Sequence, residues 1–248
     1  MDPRRLSYLH ALDLEVWERR AVSPTAAPSL VQSEIAVAHD AQLAPTPQGE
    51  ATNVAVLDWN DLQQRVRECV KCALHSTRTQ TVFGVGDRSA KWMIIGEAPG
   101  AEEDRQGEPF VGRAGQLLNS MLQAIGLRRQ DVFIANILKC RPPNNRDPSP
   151  EEMRCCEPYL QRQIALIDPT LILCVGRIAA QTLLQTNVTV GKLRGRVHAL
   201  GGDARPLIVT YHPAYLLRSP GEKRKAWQDL VLAMQTFESV SRTLGSAV

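Results

Sequence analysis

Trp92-Met93-Ile94-Ile95-Gly96, continuing into Glu97-Ala98-Pro99-Gly100, is the stretch that decides how this chain folds. A short uncharged apolar run ended by a glycine turn reads as a strand buried on both faces. The pattern recurs at Val132–Ile137 (VFIANI), Leu171–Gly176 (LILCVG) and Pro206–Tyr211 (PLIVTY). Helical patterns lie between these runs. Residues 114–125 place Leu117, Leu118, Met121, Leu122 and Ile125 on one side and stop at Gly126. Residues 150–167 open with Ser149 as cap, Pro150 at the first position and Glu152 closing a capping box. Further helices are expected at 177–185 and 222–243, and ahead of the first strand from Asp58 to about Ala73. Alternating strands and helices predict an α/β fold, a three-layer α/β/α arrangement around a central, mostly parallel four-stranded sheet. The site in such a sheet sits at the carboxyl ends of the strands.

The chain divides at about residue 57. Residues 4–20 carry Leu6, Leu9, Leu12, Val16 and Trp17 at roughly helical spacing. Residues 21–55 are rich in Ala, Pro, Ser, Thr and Gln and contain no Lys or Arg, a composition that reads as a disordered linker. Residues 1–57 are therefore expected to be an extension, with a protein partner and a dispensable tail both open as its role. Residues 58–248 are expected to form the working domain, acting as a monomer. Charge follows the same division. Residues 1–64 net −5, whereas residues 65–248 net +8. The basic part is where a polyanionic partner is expected. No apolar run approaches the length of a membrane span and the first residues lack a hydrophobic signal core, so a cytoplasmic protein with no membrane partner is expected.

Three of the four strand ends carry chemistry. The first leads into Gly96-Glu97-Ala98-Pro99-Gly100 and on to Pro109-Phe110-Val111-Gly112. The second leads from Asn136 into Cys140-Arg141-Pro142-Pro143-Asn144-Asn145-Arg146. The fourth leads into His212-Pro213-Ala214-Tyr215-Leu216-Leu217-Arg218. These motifs, in this order and at this spacing, resemble the type 4 uracil-DNA glycosylases, the iron–sulfur branch of the uracil-DNA glycosylase superfamily. The resemblance runs from about Cys69 to the last helix and leaves out the residues before Asp58.

The resemblance implies an enzyme that flips uracil out of single- or double-stranded DNA and hydrolyses its N-glycosidic bond, leaving an abasic site for base excision repair. Such chemistry needs an anion near a sugar of oxocarbenium character and a donor near the departing base. Glu97 matches the family's catalytic acidic position, where a carboxylate stabilises the sugar and places the water. Read alone, it is a helix-entry carboxylate on a glycine turn. His212 is suited to donate to uracil O2; a lone His-Pro pair reads as a turn. An amide at Asn136 offers both an acceptor and a donor to the N3–H and O4 edge of uracil, which cytosine presents in reverse. Phe110 is suited to stack on the flipped base, or to fill the core. Gly96 lets the backbone approach closely. Asn145 matches a further active-site position near the water or sugar. Leu216, four residues after His212, resembles the leucine that wedges into the emptied stack, with Leu217 as the alternative. Arg218, Lys223, Arg224 and Lys225, and a second group of Lys192, Arg194 and Arg196, are candidate phosphate contacts or solvated faces. No lysine nucleophile occurs in these motifs, which predicts a monofunctional enzyme.

Of six cysteines, Cys69-x2-Cys72 begins a metal site, and Cys140 with either Cys155 or Cys156 completes it. The position sixteen after Cys140, which the resemblance assigns to a [4Fe–4S] cluster, is Cys156. Zinc is the competing occupant on spacing alone. Cys174, apolar-flanked within a strand, reads as core. Two other readings stay open: an iron–sulfur protein that binds nucleic acid without excising a base, and a relative with altered base choice, such as hypoxanthine.

Overall fold

The computed structural model describes residues 53–202 and 204–245. The helix expected over 4–20 and the linker after it lie outside the described residues. Everything discussed below lies in the unit Gly49–Val248.

The sheet contains β1 (Val85–Gly86), β2 (Trp92–Gly96), β3 (Phe133–Asn136), β4 (Leu171–Val175), β5 (Val197–Leu200) and β6 (Arg205–Thr210). Their order is β1-β3-β2-β4-β6-β5. The four expected strands form the centre, all parallel, with Gly96 paired to Asn136, Ile95 to Cys174 and Cys174 to Val209. Every residue of β2, β3 and β4 is buried, as uncharged runs between two helical layers require. The sheet has six strands rather than the expected four. Short antiparallel strands are added at both margins, β1 against β3 and β5 against β6.

The helices are α1 (Trp59–Arg67), α2 (Ala101–Gln106), α3 (Arg113–Ala124), α4 (Pro150–Ile167), α5 (Arg177–Leu183), α6 (Val190–Leu193), α7 (Pro213–Arg218) and α8 (Lys223–Gly245). They cover the two faces of the sheet in separate cores. One joins Met93, Ile95, Phe133 and Cys174 to Leu160 and Ile164 of α4 and Ala179 of α5. The other joins Ile94, Ile134 and Leu173 to Leu118 and Leu122 of α3 and Leu230 of α8. Cys174 is thus core, as read. None of the described helices is long and apolar enough to cross a membrane.

Two boundaries differ from expectation. Packing begins before Asp58: Val54 and Leu57 are buried beside Leu62, Val66 and Tyr159, and Arg162 Nε donates to the Leu57 carbonyl at 2.6 Å. The first helix stops at Arg67 instead of running to Ala73. The Arg78 guanidinium supplies the reason, donating to the carbonyls of Arg67 (3.1 Å) and Cys69 (2.8 Å) that a continuing helix would use.

Candidate active site

The carboxyl ends of β2, β3 and β6 open into one cavity of about 760 Å³, lined by Glu97, Phe110, Asn136, Asn145 and His212 among others. Its floor is the β2–β3 pair. The ladder continues past both strands, with Ile137 N–H donating to the Gly96 carbonyl (2.9 Å) and Leu138 N–H to that of Glu97 (3.0 Å). Glu97 is therefore held by its backbone, and its half-buried carboxylate has no hydrogen-bond partner among the described residues. Burial pushes its pKa up, Asp147 pushes it further, and Arg177 opposes both. Asp147 and Arg177 pair with each other at 2.5 Å.

Asn136 is 2% exposed, and its Oδ1 is a buried acceptor with no hydrogen-bond partner. An orphaned buried amide oxygen costs about 1–3 kcal/mol unless a ligand supplies the missing donor. A Cβ on Gly96 would lie 2.5 Å from that oxygen and 2.6 Å from Cζ of Phe110. Only glycine leaves this space open.

Phe110 is buried, with a left-handed backbone (φ 55°) that a bulky residue seldom adopts. Two side chains hold it there. Glu103 Oε1 accepts the N–H groups of Val111 (3.0 Å) and Gly112 (3.2 Å), while Arg129 donates to the carbonyls of Pro109 and Phe110. Neither residue was singled out in the sequence. Glu103 sits on α2, whose charged sequence AEEDRQ shows no apolar stripe.

His212 caps α7, its Nδ1 accepting the Ala214 N–H at 3.1 Å. The proton of the neutral ring must then reside on Nε2. Burial and Arg218 lower its pKa to about 4, so the ring is neutral at ordinary pH. Gly176, with φ +99°, passes so close that a Cβ there would lie 3.0 Å from that of His212. Asn145, exposed and also left-handed (φ 55°), accepts from Arg141 Nε at 2.8 Å and faces the same cavity.

Leu216, read as the wedge with Leu217 as the alternative, faces inward. It is 1% exposed and packs in the core with Leu118 and Met121, whereas Leu217 is 37% exposed. Helix α7 turns its fourth residue inward, because that face rests on α3. The apolar surface offered outward belongs to Leu217 and Tyr215. Arg194 is likewise taken up internally, paired with buried Asp229 at 3.0 Å and stacked over Tyr211. Lys225 pairs with Glu222 at 2.8 Å.

Cys72, Cys140 and Cys156 gather around Leu74 and Leu138, with Cys69 close by. Several of the thiols act on one another: Cys140 feels Cys72 and Cys69, Cys156 feels Cys140 and Cys72, and Cys72 feels Cys155 and Cys69. Burial pushes the Cys156 thiol up to about 12, against a hydrogen bond from the Lys139 N–H. Arg78 donates to Cys140 Sγ at 3.2 Å. Cys155 instead donates to the Lys71 carbonyl at 3.3 Å. No group of three His, Cys, Asp or Glu side chains among the described residues is drawn in tightly enough to hold one metal ion. The donor set still fits a sulfur-ligated group: four convergent thiols, an apolar lining and N–H donors to sulfur.

Residues 83–231 match the model of the uracil DNA glycosylase superfamily. The chain belongs to that superfamily. It is 48% identical over 167 residues to the type-4 uracil-DNA glycosylase of Archaeoglobus fulgidus, covering 65% of this chain and 84% of that protein. To the type-4 enzyme of Thermotoga maritima it is 45% identical over 160 residues, covering 64% and 82%. The type-5 uracil-DNA glycosylase of Thermus thermophilus is 31% identical over 149 residues, covering 53% and 68%. All five cavity residues named above fall inside the superfamily match.

Proposed function

We propose that this uracil-DNA glycosylase of DNA repair reads the flipped base with Asn136 and His212 and completes hydrolysis through Glu97, leaving an abasic site. The observation that carries the reading is the buried, partnerless Oδ1 of Asn136 at the base of the cavity. That oxygen accepts the uracil N3–H and the amide NH2 donates to O4. Cytosine, with an acceptor at N3 and a donor at C4, meets like against like. Phe110 supplies the stacking surface, and Gly96 leaves the room that base and amide both need.

Bond cleavage moves negative charge onto the base. The neutral His212 ring, its Nδ1 already engaged, donates from Nε2 to uracil O2 and stabilises that charge without transferring its proton. Glu97, free of other partners, faces the sugar, where its carboxylate stabilises cationic character and orients the water. Asn145 holds the water or the sugar. No lysine stands among these groups, so the product is an intact backbone with an abasic site. Single- or double-stranded uracil-containing DNA is the partner, met by the basic surface of residues 65–248, with Leu217 in place of Leu216 as the wedge on duplex DNA.

Cys69, Cys72, Cys140 and Cys156 are the residues to hold a [4Fe–4S] cluster, which when bound ties the segment after α1 to β3 and α4. A cytoplasmic, monomeric enzyme is consistent with these features. Oligonucleotides bearing uracil, hypoxanthine or only normal bases, incubated with the protein and then treated with alkali, test the activity. Uracil-dependent breaks that vanish in N136A and E97Q are expected; breakage at normal cytosine by the wild-type protein would overturn the base-reading scheme.

A further inference from the structure

Lys139 is 1% exposed, yet no carboxylate among the described residues lies within salt-bridge distance of it. Its Nζ donates to the Asn136 carbonyl at 2.8 Å and to Gln163 Oε1 at 2.6 Å. Gln163, itself fully buried, passes its own NH2 to the Phe83 carbonyl at 2.9 Å. Two neutral acceptors do not balance a buried ammonium, whose desolvation costs several kcal/mol. The ionisable groups that act on it are the thiols of Cys156 and Cys140. Lys139 also gives its backbone N–H to Cys156.

Resting on the cluster and base-reading assignments above, we infer that Lys139 is the buried counter-cation of the four-cysteine site and the positioning residue for Asn136. A cluster on four thiolates carries net negative charge, and buried charge nearby tunes its potential and retention. The same ammonium pins the carbonyl of the residue whose amide reads uracil. Lys139 thereby joins two sites that share no ligand: the cysteines on one side of β3 and the cavity at its end.

The test uses the full chain carrying iron. K139M, with K139Q as a second neutral variant, is compared with wild type for the rate of iron loss to a chelator, the midpoint potential of the cluster and the single-turnover rate of uracil release. Expected are at least five-fold faster iron loss, a more negative potential, and a release rate lowered at least ten-fold with KM for DNA within two-fold. K139R is expected to keep a near-wild-type potential, because it keeps the charge. Neutral variants that match wild type in iron loss and potential would overturn the proposal, as would a K139R potential shifted as far as that of K139M. If neither neutral variant folds, K139R is compared with wild type directly: a near-wild-type potential and iron-loss rate support the proposal, and at least five-fold faster iron loss or a clearly more negative potential with the charge kept overturns it. A wild-type chain without iron overturns the cluster assignment and this inference together, and is recognised first, by iron analysis.

Discussion

Phe110 stacks on His212, with ring centroids 5.5 Å apart and planes inclined by 30°. The proposed stacking surface and the proposed donor to the base therefore share one wall, and Glu103 and Arg129 hold the Phe110 end of it. Phe110→Ala removes the surface. Base–aromatic stacking is worth about 1–3 kcal/mol, so uracil release is expected to fall about ten- to a hundred-fold in single-turnover assays. Glu103→Gln is expected to reproduce part of that loss without touching the base. Full activity in both variants would remove Phe110 from the site.

Gly96→Ala places a methyl group where Asn136 Oδ1 and the Phe110 ring already stand. The expected outcome is loss of uracil release by more than about a hundred-fold, as for removal of one transition-state donor. Iron content should be unchanged, since the cysteines lie elsewhere. Competition with free uracil would show whether binding itself has gone.

The pH profile separates Glu97 from His212. His212, with its pKa lowered to about 4, stays neutral throughout the useful range and contributes no fall in rate near pH 6 to 7. The acid limb of kcat then reports protonation of Glu97, which burial holds above the ordinary carboxylate range. Asp147 raises that value and Arg177 lowers it, so D147N should move the limb to lower pH and R177Q to higher pH. Shifts in the opposite directions would take Glu97 out of the proton inventory.

Two adjacent leucines should behave differently. Leu216→Ala empties a fully buried position, and a cost of about 2–5 kcal/mol in stability is expected in denaturant melts. Leu217→Ala should leave stability within about 0.5 kcal/mol, while reducing release from duplex DNA more than from single strands. Equal losses on both substrates would argue against a wedge at Leu217.

Cys156→Ser is expected to abolish iron binding and Cys155→Ser to retain it. The two thiols have different surroundings: Cys156 is buried in one cluster with Cys140, whereas Cys155 donates to the Lys71 carbonyl. Iron and sulfide analysis of the purified variants decides the matter.

What was legible in the sequence was what burial on two faces makes legible. The four central strands are uncharged runs but for Arg205 at the start of β6, found within a residue or two of their observed ends, and the loops after them carried their motifs openly. The marginal strands were not legible: Val85–Gly86 is two residues long, and Val197–Leu200 is only half-buried. Helix α2 was missed because Glu102, Glu103, Asp104 and Arg105 give it no apolar period, although Glu103 holds the Phe110 loop. The burial of Leu216 was not legible, because distance along the chain from His212 says nothing about which face of a short helix packs on α3. The burial of Lys139 was not legible either, because a lysine beside a cysteine motif reads as solvent-facing until the sheet around it is known.

The antiparallel strands at the two margins have a consequence for how copies of the enzyme treat one another. A parallel sheet ending on β3 and β6 would expose long unpaired backbone, a template on which a second chain can extend the sheet. Here each margin is finished by a strand of two or four residues running the other way. Short, reversed edges offer little to zip onto. Among the described residues, copies brought close together thus find little open sheet edge through which to aggregate.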